Sequence, residues 1–176
     1  MTDGTNNPTT TTSTTKVGFL EIYPQGDQEI VITRAFQAAR PLVFEALTKP
    51  EILRPWLLGP PGWSMVVCEV DLRVGGQYRY VWRKDGGPDM GMGGTFREIV
   101  APERIVAVEL FDEDWTGGET LVTTVLSEKD GKTTAAMTVR YSSTEARDAV
   151  LASPMASGLE AGYAGMDEVL TSGLCG

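Results

Sequence analysis

Ser153-Pro154-Met155-Ala156-Ser157-Gly158-Leu159-Glu160-Ala161-Gly162-Tyr163-Ala164-Gly165-Met166-Asp167-Glu168-Val169-Leu170 is the stretch that decides the fold. Met155, Leu159, Gly162, Met166 and Val169 recur at steps of three and four, the period of one helix face, and Tyr163 and Leu170 widen the stripe. Ser153 suits an N-cap, Pro154 the first helical position and Gly173 a C-terminal stop. Gly158, Gly162 and Gly165 each cost about 1 kcal/mol against Ala inside a helix. Small residues on a buried face let a sheet or a ligand approach closely. A helix of this length needs an apolar surface to lie on, and most of the remaining chain reads as strands.

Outward from the helix, the pattern is regular. Glu29 to Phe36 alternates, with Ile30, Ile32 and Arg34 in phase, as a first strand does. Pro41 opens a helix with Leu42, Val43, Ala46 and Leu47 as its buried stripe. Pro50 ends it, and Glu51 to Trp56 reads as a second short helix cut by Pro55. Hairpin strands follow: Met65–Asp71, Gln77–Arg83, Met92–Val100, Arg104–Phe111, Glu119–Ser127 and Lys132–Tyr141. Asp130-Gly131 is a strong turn signal between the last two. Ser142 and Glu145 have capping-box spacing for a helix through about Leu151. Strand, two helices, hairpin strands and a long helix make an α+β layout, a curved antiparallel sheet wrapped around the C-terminal helix. Residues 17–176 form one domain. Met1 to Lys16, a Thr-rich tract almost without apolar content, is expected to be disordered.

Composition narrows the function. The 176 residues carry a net charge of −9 and a pI of about 4.5, which argues against nucleic acid as a partner. No run reaches the ~18 apolar residues of a membrane span, and the N-terminus has no apolar signal core. With two cysteines, Cys68 and Cys175, there is no disulfide framework, and a cytoplasmic location is expected. The chain has no histidine, which removes Ser–His and Cys–His catalysis and the commonest metal ligand. No cofactor or metal is expected.

Several ordered runs resemble a known superfamily. They are Thr33-Arg34-Ala35-Phe36 with Leu42-Val43-Phe44 and Pro50; Trp56 with Gly59-Pro60; and Asp71-Leu72-Arg73-Val74-Gly75-Gly76 with Tyr78 and Tyr80. Gly94-Thr95-Phe96-Arg97-Glu98-Ile99 with Pro102-Glu103-Arg104-Ile105 follows, then Arg147-Asp148 and Gly162-Tyr163. From about Ile30 to Leu170 the chain is similar to the helix-grip (SRPBCC) superfamily of START lipid-transfer domains, polyketide cyclases and the birch-pollen allergen. Within it, the match is to the branch named for homology to the activator of the Hsp90 chaperone ATPase. The resemblance implies the helix-grip fold. It is compatible with a small-molecule carrier, a chaperone adaptor, or a cyclase- or hydrolase-type enzyme, because one fold hosts many functions. A homodimer is left open. The early part of the last helix, Ser157-Gly158-Leu159-Glu160-Ala161, lacks the histidine that relatives often carry there.

The expected ligand-binding set is Trp56, Trp63, Tyr78, Tyr80, Trp82, Met92, Phe96, Glu98, Met137, Leu159, Tyr163 and Met166, with Met90 and Met155 nearby. Ordinary core accounts for such residues equally well. Tyr78, Tyr80 and Trp82 stacked on one strand face, opposite the helix glycines, favour a cavity for an apolar or aromatic molecule. Glu98 is in phase with Gly94 and Phe96, so it is either an inward carboxylate or an outward ion-pair member. Arg34, Arg73, Arg79, Arg97, Glu69, Asp71 and Glu109 are further charged candidates, most simply read as a solvated strand face. Gly91-Met92-Gly93-Gly94 lacks the lysine of a phosphate loop and reads as a bulged or mobile strand edge. Cys68 reads as a small buried hydrophobe, and Asp112-Glu113-Asp114 as a solvated turn.

Overall fold

The computed structural model describes residues 13–175. Nine strands form one antiparallel sheet in the order β1-β2-β3-β9-β8-β7-β6-β5-β4. They are β1 (Thr15–Val17), β2 (Leu20–Gln25), β3 (Glu29–Phe36), β4 (Trp63–Val70), β5 (Gln77–Lys84), β6 (Asp89–Val100), β7 (Arg104–Phe111), β8 (Thr120–Lys129) and β9 (Lys132–Arg140). The helices are α1 (Arg40–Thr48), α2 (Pro50–Leu53), α3 (Thr144–Leu151) and α4 (Met155–Thr171). The α+β helix-grip layout expected from the sequence is present. Residues 1–12 of the expected disordered tail lie outside the described residues. Thr15 and Lys16, placed in that tail, instead pair with Ile22 and Glu21.

Local chemistry explains most boundaries. Asp130 and Gly131 both have positive φ, 54° and 73°, so the β8–β9 hairpin turns in two residues. Lys49 ends α1 and caps α2, and Pro50 is tolerated at the start of α2 because its missing N–H would have no partner there. Two expected caps shift by one residue. Ser143, not Ser142, caps α3, its side chain accepting from the Ala146 N–H at 3.1 Å. Ser142 donates to the Gly117 carbonyl instead. Pro154 occupies the cap of α4 without a side-chain bond, while Ser153 donates to the Val150 carbonyl and closes α3.

The core has two clusters on the inner face, the one that carries the helices. One gathers Phe36, Val43, Trp56, Tyr78, Tyr80, Trp82, Phe96 and Met166 between α1, α2, α4 and β4–β7. The other joins Leu20, Ile22, Ile30, Ile32, Val122, Val139 and Val150, with Met155 and Leu159 of α4 half-buried on it. Tyr163 touches both. Gly162 and Gly165 do admit a close neighbour, but it is Trp56 rather than the sheet, at 3.9 and 3.5 Å from where their Cβ atoms would stand. Gly158 is exposed and has open space around it, so it is not part of the buried face.

Candidate functional site

The site begins with alternation on β5. Tyr78, Tyr80 and Trp82 point inward and are all buried, while Arg79 and Arg83 point outward. Tyr78 pairs with Gly94 on β6, and Gly94 pairs with Glu109 on β7. A side chain at 94 would collide with the Tyr78 ring. Because residue 94 is glycine, the ring lies across β6 and its hydroxyl donates to Glu109 Oε1 at 2.6 Å. Thr120 pairs with Glu109, and Tyr141 follows Arg140, the partner of Leu121, so the polar row continues across β8 and β9.

Glu109 is the charge at the centre of this row. Burial raises its pKa, and the Tyr78 hydrogen bond only partly offsets that. The phenols of Tyr78, Tyr80, Tyr141 and Tyr163 are all held above their ordinary value, by burial first and with the Glu109 charge contributing in each. Tyr141 and Tyr163 are pushed up to about 12. Among the described residues, the hydroxyls of Tyr80, Tyr141 and Tyr163 have no hydrogen-bond partner, and Glu109 has no cation within ion-pair distance.

The other inner charge, Arg34, is fully engaged. It is 3% exposed and reaches Glu160 at 3.2 Å and Asp167 at 2.7 Å, both on α4. Its guanidinium lies 4.8 Å from the Phe36 ring and 5.8 Å from that of Tyr163. Glu160 also accepts from the Phe19 N–H at 3.4 Å, so one carboxylate ties α4 to both β3 and the β1–β2 turn. Beside Arg34 is a cavity of about 30 Å3, lined by Ile32, Arg34, Leu47, Thr124, Ala135, Met137 and Tyr163. That holds water but no organic molecule.

The expected site residues separate into three groups. Trp56, Tyr78, Tyr80, Trp82, Met92, Phe96 and Met166 are buried in the first cluster, with Trp63 packed on it. The indole N–H groups of Trp56 and Trp82 are taken by the Ala46 and Leu57 carbonyls, at 3.0 and 2.8 Å, which fixes those rings as structure. Met137, Leu159 and Tyr163 are half-buried around the second cluster. Glu98 does not join the site. A bulge between Phe96 and Glu98 makes Arg97 the extra residue and turns Glu98 to the outer face, where it pairs with Arg104 at 3.1 Å.

Other expectations change with it. Met92 to Gly94 is paired on both sides within β6, and Gly91 pairs with Val81 and accepts from the Asp112 N–H, so the run is no strand edge. Asp112 is more than a solvated turn, for it holds Arg79 through two bonds of 2.7 and 2.5 Å. Cys68 is buried as expected, whereas Cys175 is half-buried against the first cluster. Glu109, expected among the solvated strand charges, lies on the inner face instead. It is in phase with Ile105, Ala107 and Phe111 on the inner face of β7, although Val106, Val108 and Leu110 make the outer face apolar too. Among the described residues no group of His, Cys, Asp and Glu could hold a metal ion, and no helix is long and apolar enough to cross a membrane.

A family model described as Activator of Hsp90 ATPase homolog 1-like protein matches residues 37–171. The chain belongs to this family. No curated protein matches it. A crystal structure of a Rhodobacter sphaeroides protein is 38% identical, covers 87% of this chain and 98% of its own, and superposes with a TM-score of 0.82. Protein NE0264 from Nitrosomonas europaea is 20% identical over 85% of this chain and 97% of its own, TM-score 0.74. Protein Ms6760 from Mycobacterium smegmatis is 22% identical over 91% and 98%, TM-score 0.73. The last two share the fold alone. Because the family match begins at residue 37, β1, β2 and β3 lie before it, and with them Arg34.

Proposed function

We propose that this member of the Hsp90-activator-homolog-like family binds a small, largely apolar molecule between the sheet and the first half of α4. The observation that carries this reading is the set of unpartnered phenol hydroxyls of Tyr80, Tyr141 and Tyr163 around Glu109 on an otherwise apolar inner face. Among the described residues the buried side-chain atoms left without a partner are Arg40 Nε and Glu45 Oε2, so these three phenol oxygens keep access to open space, and a few convergent polar tips in an apolar wall are the usual lining of a ligand site. The family commonly binds hydrophobic ligands, which agrees.

The 30 Å3 cavity is too small for such a guest, and the groove of about 620 Å3 that reaches Tyr78, Gly94, Glu109 and Phe111 is open to solvent, so an enclosed site requires α4 to move. The helix is unequally held. Met166 and Val169 in its second half are buried, whereas Met155 and Leu159 in its first half are only half-buried and its N-terminus has no side-chain cap. The first half tilts outward, with Tyr163 as the pivot side chain and Arg34 as the tether that limits the movement. Native mass spectrometry of the protein purified from its own host tests this. The expected result is an added mass of a few hundred daltons that is lost on denaturation. Bare protein, together with no melting-temperature shift across a panel of apolar compounds, would overturn it.

A second reading rests on the outer face. Leu110, Leu121 and Val125 are 44%, 39% and 37% exposed on adjacent strands, and Leu121 stands opposite Val108. Such a strip suits a protein partner, and the family's name points to the Hsp90 ATPase. Titration into purified Hsp90, with Leu121→Glu as the comparison, tests it. Unchanged ATPase activity with no detectable binding would rule it out.

A further inference from the structure

We infer that the guest carries a protonated amine, and that Glu109 with the surrounding tyrosines is the subsite that receives it. This rests on the small-molecule reading above. The argument is one of charge accounting on the inner face. Arg34 is the inner-face cation of the site, and two carboxylates already answer it. Glu109 is the carboxylate set among the tyrosines. It has one hydrogen bond, from Tyr78, and among the described residues no cation within ion-pair distance. A half-buried carboxylate accepts more than one hydrogen bond, so its remaining lone pairs are free for a donor. A guest ammonium supplies both the donors and the missing opposite charge, in surroundings where a charge-assisted bond is stronger than in water.

The surrounding groups agree with a cation rather than an anion. Phenol oxygens accept from an ammonium, and the faces of aromatic rings attract it. Phe111, two residues beyond Glu109, is half-buried in phase with it, and the Trp115 ring lies 4.9 Å from that of Phe111. The net charge of −9 favours the approach of cations to the whole chain. An anionic guest would meet Glu109 with no cation to offset it, since Arg34 is occupied.

A matched series of naphthalene probes separates the possibilities. The probes are 1-naphthylmethylamine, 1-naphthalenemethanol, 1-methylnaphthalene and 1-naphthoate, titrated calorimetrically into the full chain at pH 7.5. The expected order of affinity is amine, alcohol, methyl, carboxylate, with the amine at least tenfold tighter than the methyl compound. Glu109→Gln is expected to remove that tenfold preference and to leave the methyl compound within threefold. Glu98→Gln, which deletes a carboxylate on the outer face, is expected to leave the order unchanged. Equal affinities, or a preference for naphthoate, would overturn the amine inference and leave the cavity reading standing. If none of the four binds, both fall. The ranking on the unmodified chain is decisive by itself, whatever the folding of the variants.

Discussion

Strand β6 is crossed twice, once on each face, and the two crossings differ in what they do. On the inner face the Tyr78 ring passes over Gly94 to reach Glu109. On the outer face the Arg79 guanidinium passes by Gly91 to reach Asp112, and a Cβ at 91 would meet both groups. The plan is the same in each case. A long arm from β5 uses a glycine in β6 as its passage and ends on an acid at or just beyond β7. The surroundings are opposite. Arg79 and Asp112 keep 39% and 53% of their side-chain surface in water, so their attraction is screened. Tyr78 is buried and its bond is made in a poorly solvated interior. Geometry alone would rank the two as equals, and solvent makes the inner one the candidate site.

Alanine at the two glycines should break the symmetry most visibly. At 94 the new Cβ meets a ring packed among Tyr80 and Phe96, which has no room to retreat. Gly94→Ala is expected to lose about 3 kcal/mol, as overpacked cores do. Gly91→Ala displaces only the tips of two solvated side chains, and the alanine regains about 0.5–1 kcal/mol of strand propensity, so it should stay within about 0.5 kcal/mol of the parent. Urea unfolding curves of the two variants provide the comparison, and equal losses would mean that the Tyr78 ring is free to move. Tyr78→Phe comes next in size. It leaves Glu109 without its protein donor, at about 1.5 kcal/mol, and pairing it with Glu109→Gln in a double-mutant cycle should recover part of that loss.

The two crossings also show how far the sequence could be read. Helix period, hairpin spacing and Asp130-Gly131 describe local preferences, so the order of elements follows from them and the family-like runs. Alternation sets Arg34 in phase with Ile30 and Ile32, and it does point inward and is buried, against the simpler reading of strand charges as solvated. Phase sets Glu98 with Gly94 and Phe96, but one extra residue, Arg97, reverses every side chain beyond the bulge, so of its two alternatives the outward ion pair holds, and no turn residue announces it. Glu109 is hidden in the sequence for a different reason. A carboxylate in a strand is usually solvated, and only its phase with Ile105 and Phe111 opposed that prior. The passages over Gly91 and Gly94 were out of reach of any single-strand reading, because each involves three strands whose register is set by the whole sheet.

Acidity offers the finest separation, since the two acids respond to pH with opposite sign. Glu109 has a raised pKa in the fold, so the folded chain holds its proton more tightly than the unfolded chain does. Its contribution is therefore fully present below the ordinary glutamate value of 4.5 and is lost as pH rises through the raised folded value. Asp112 is the reverse. Its hydrogen bonds to Arg79 lower its pKa, so its contribution is present above the ordinary aspartate value of 3.8 and is lost as pH falls through the lowered one. Melting temperatures of the parent, Glu109→Gln and Asp112→Asn across pH 2.5 to about 8 should show this, buffer by buffer. Glu109→Gln is expected to flatten the decline on the alkaline side of 4.5. Asp112→Asn is expected to flatten only the acid limb and to cost no more than about 1 kcal/mol at neutral pH, the range of exposed ion pairs. A Glu109→Gln curve parallel to the parent's on the alkaline side would mean that water reaches Glu109 freely. The inner crossing would then be as solvated as the outer one, and an amine would have no reason to prefer it.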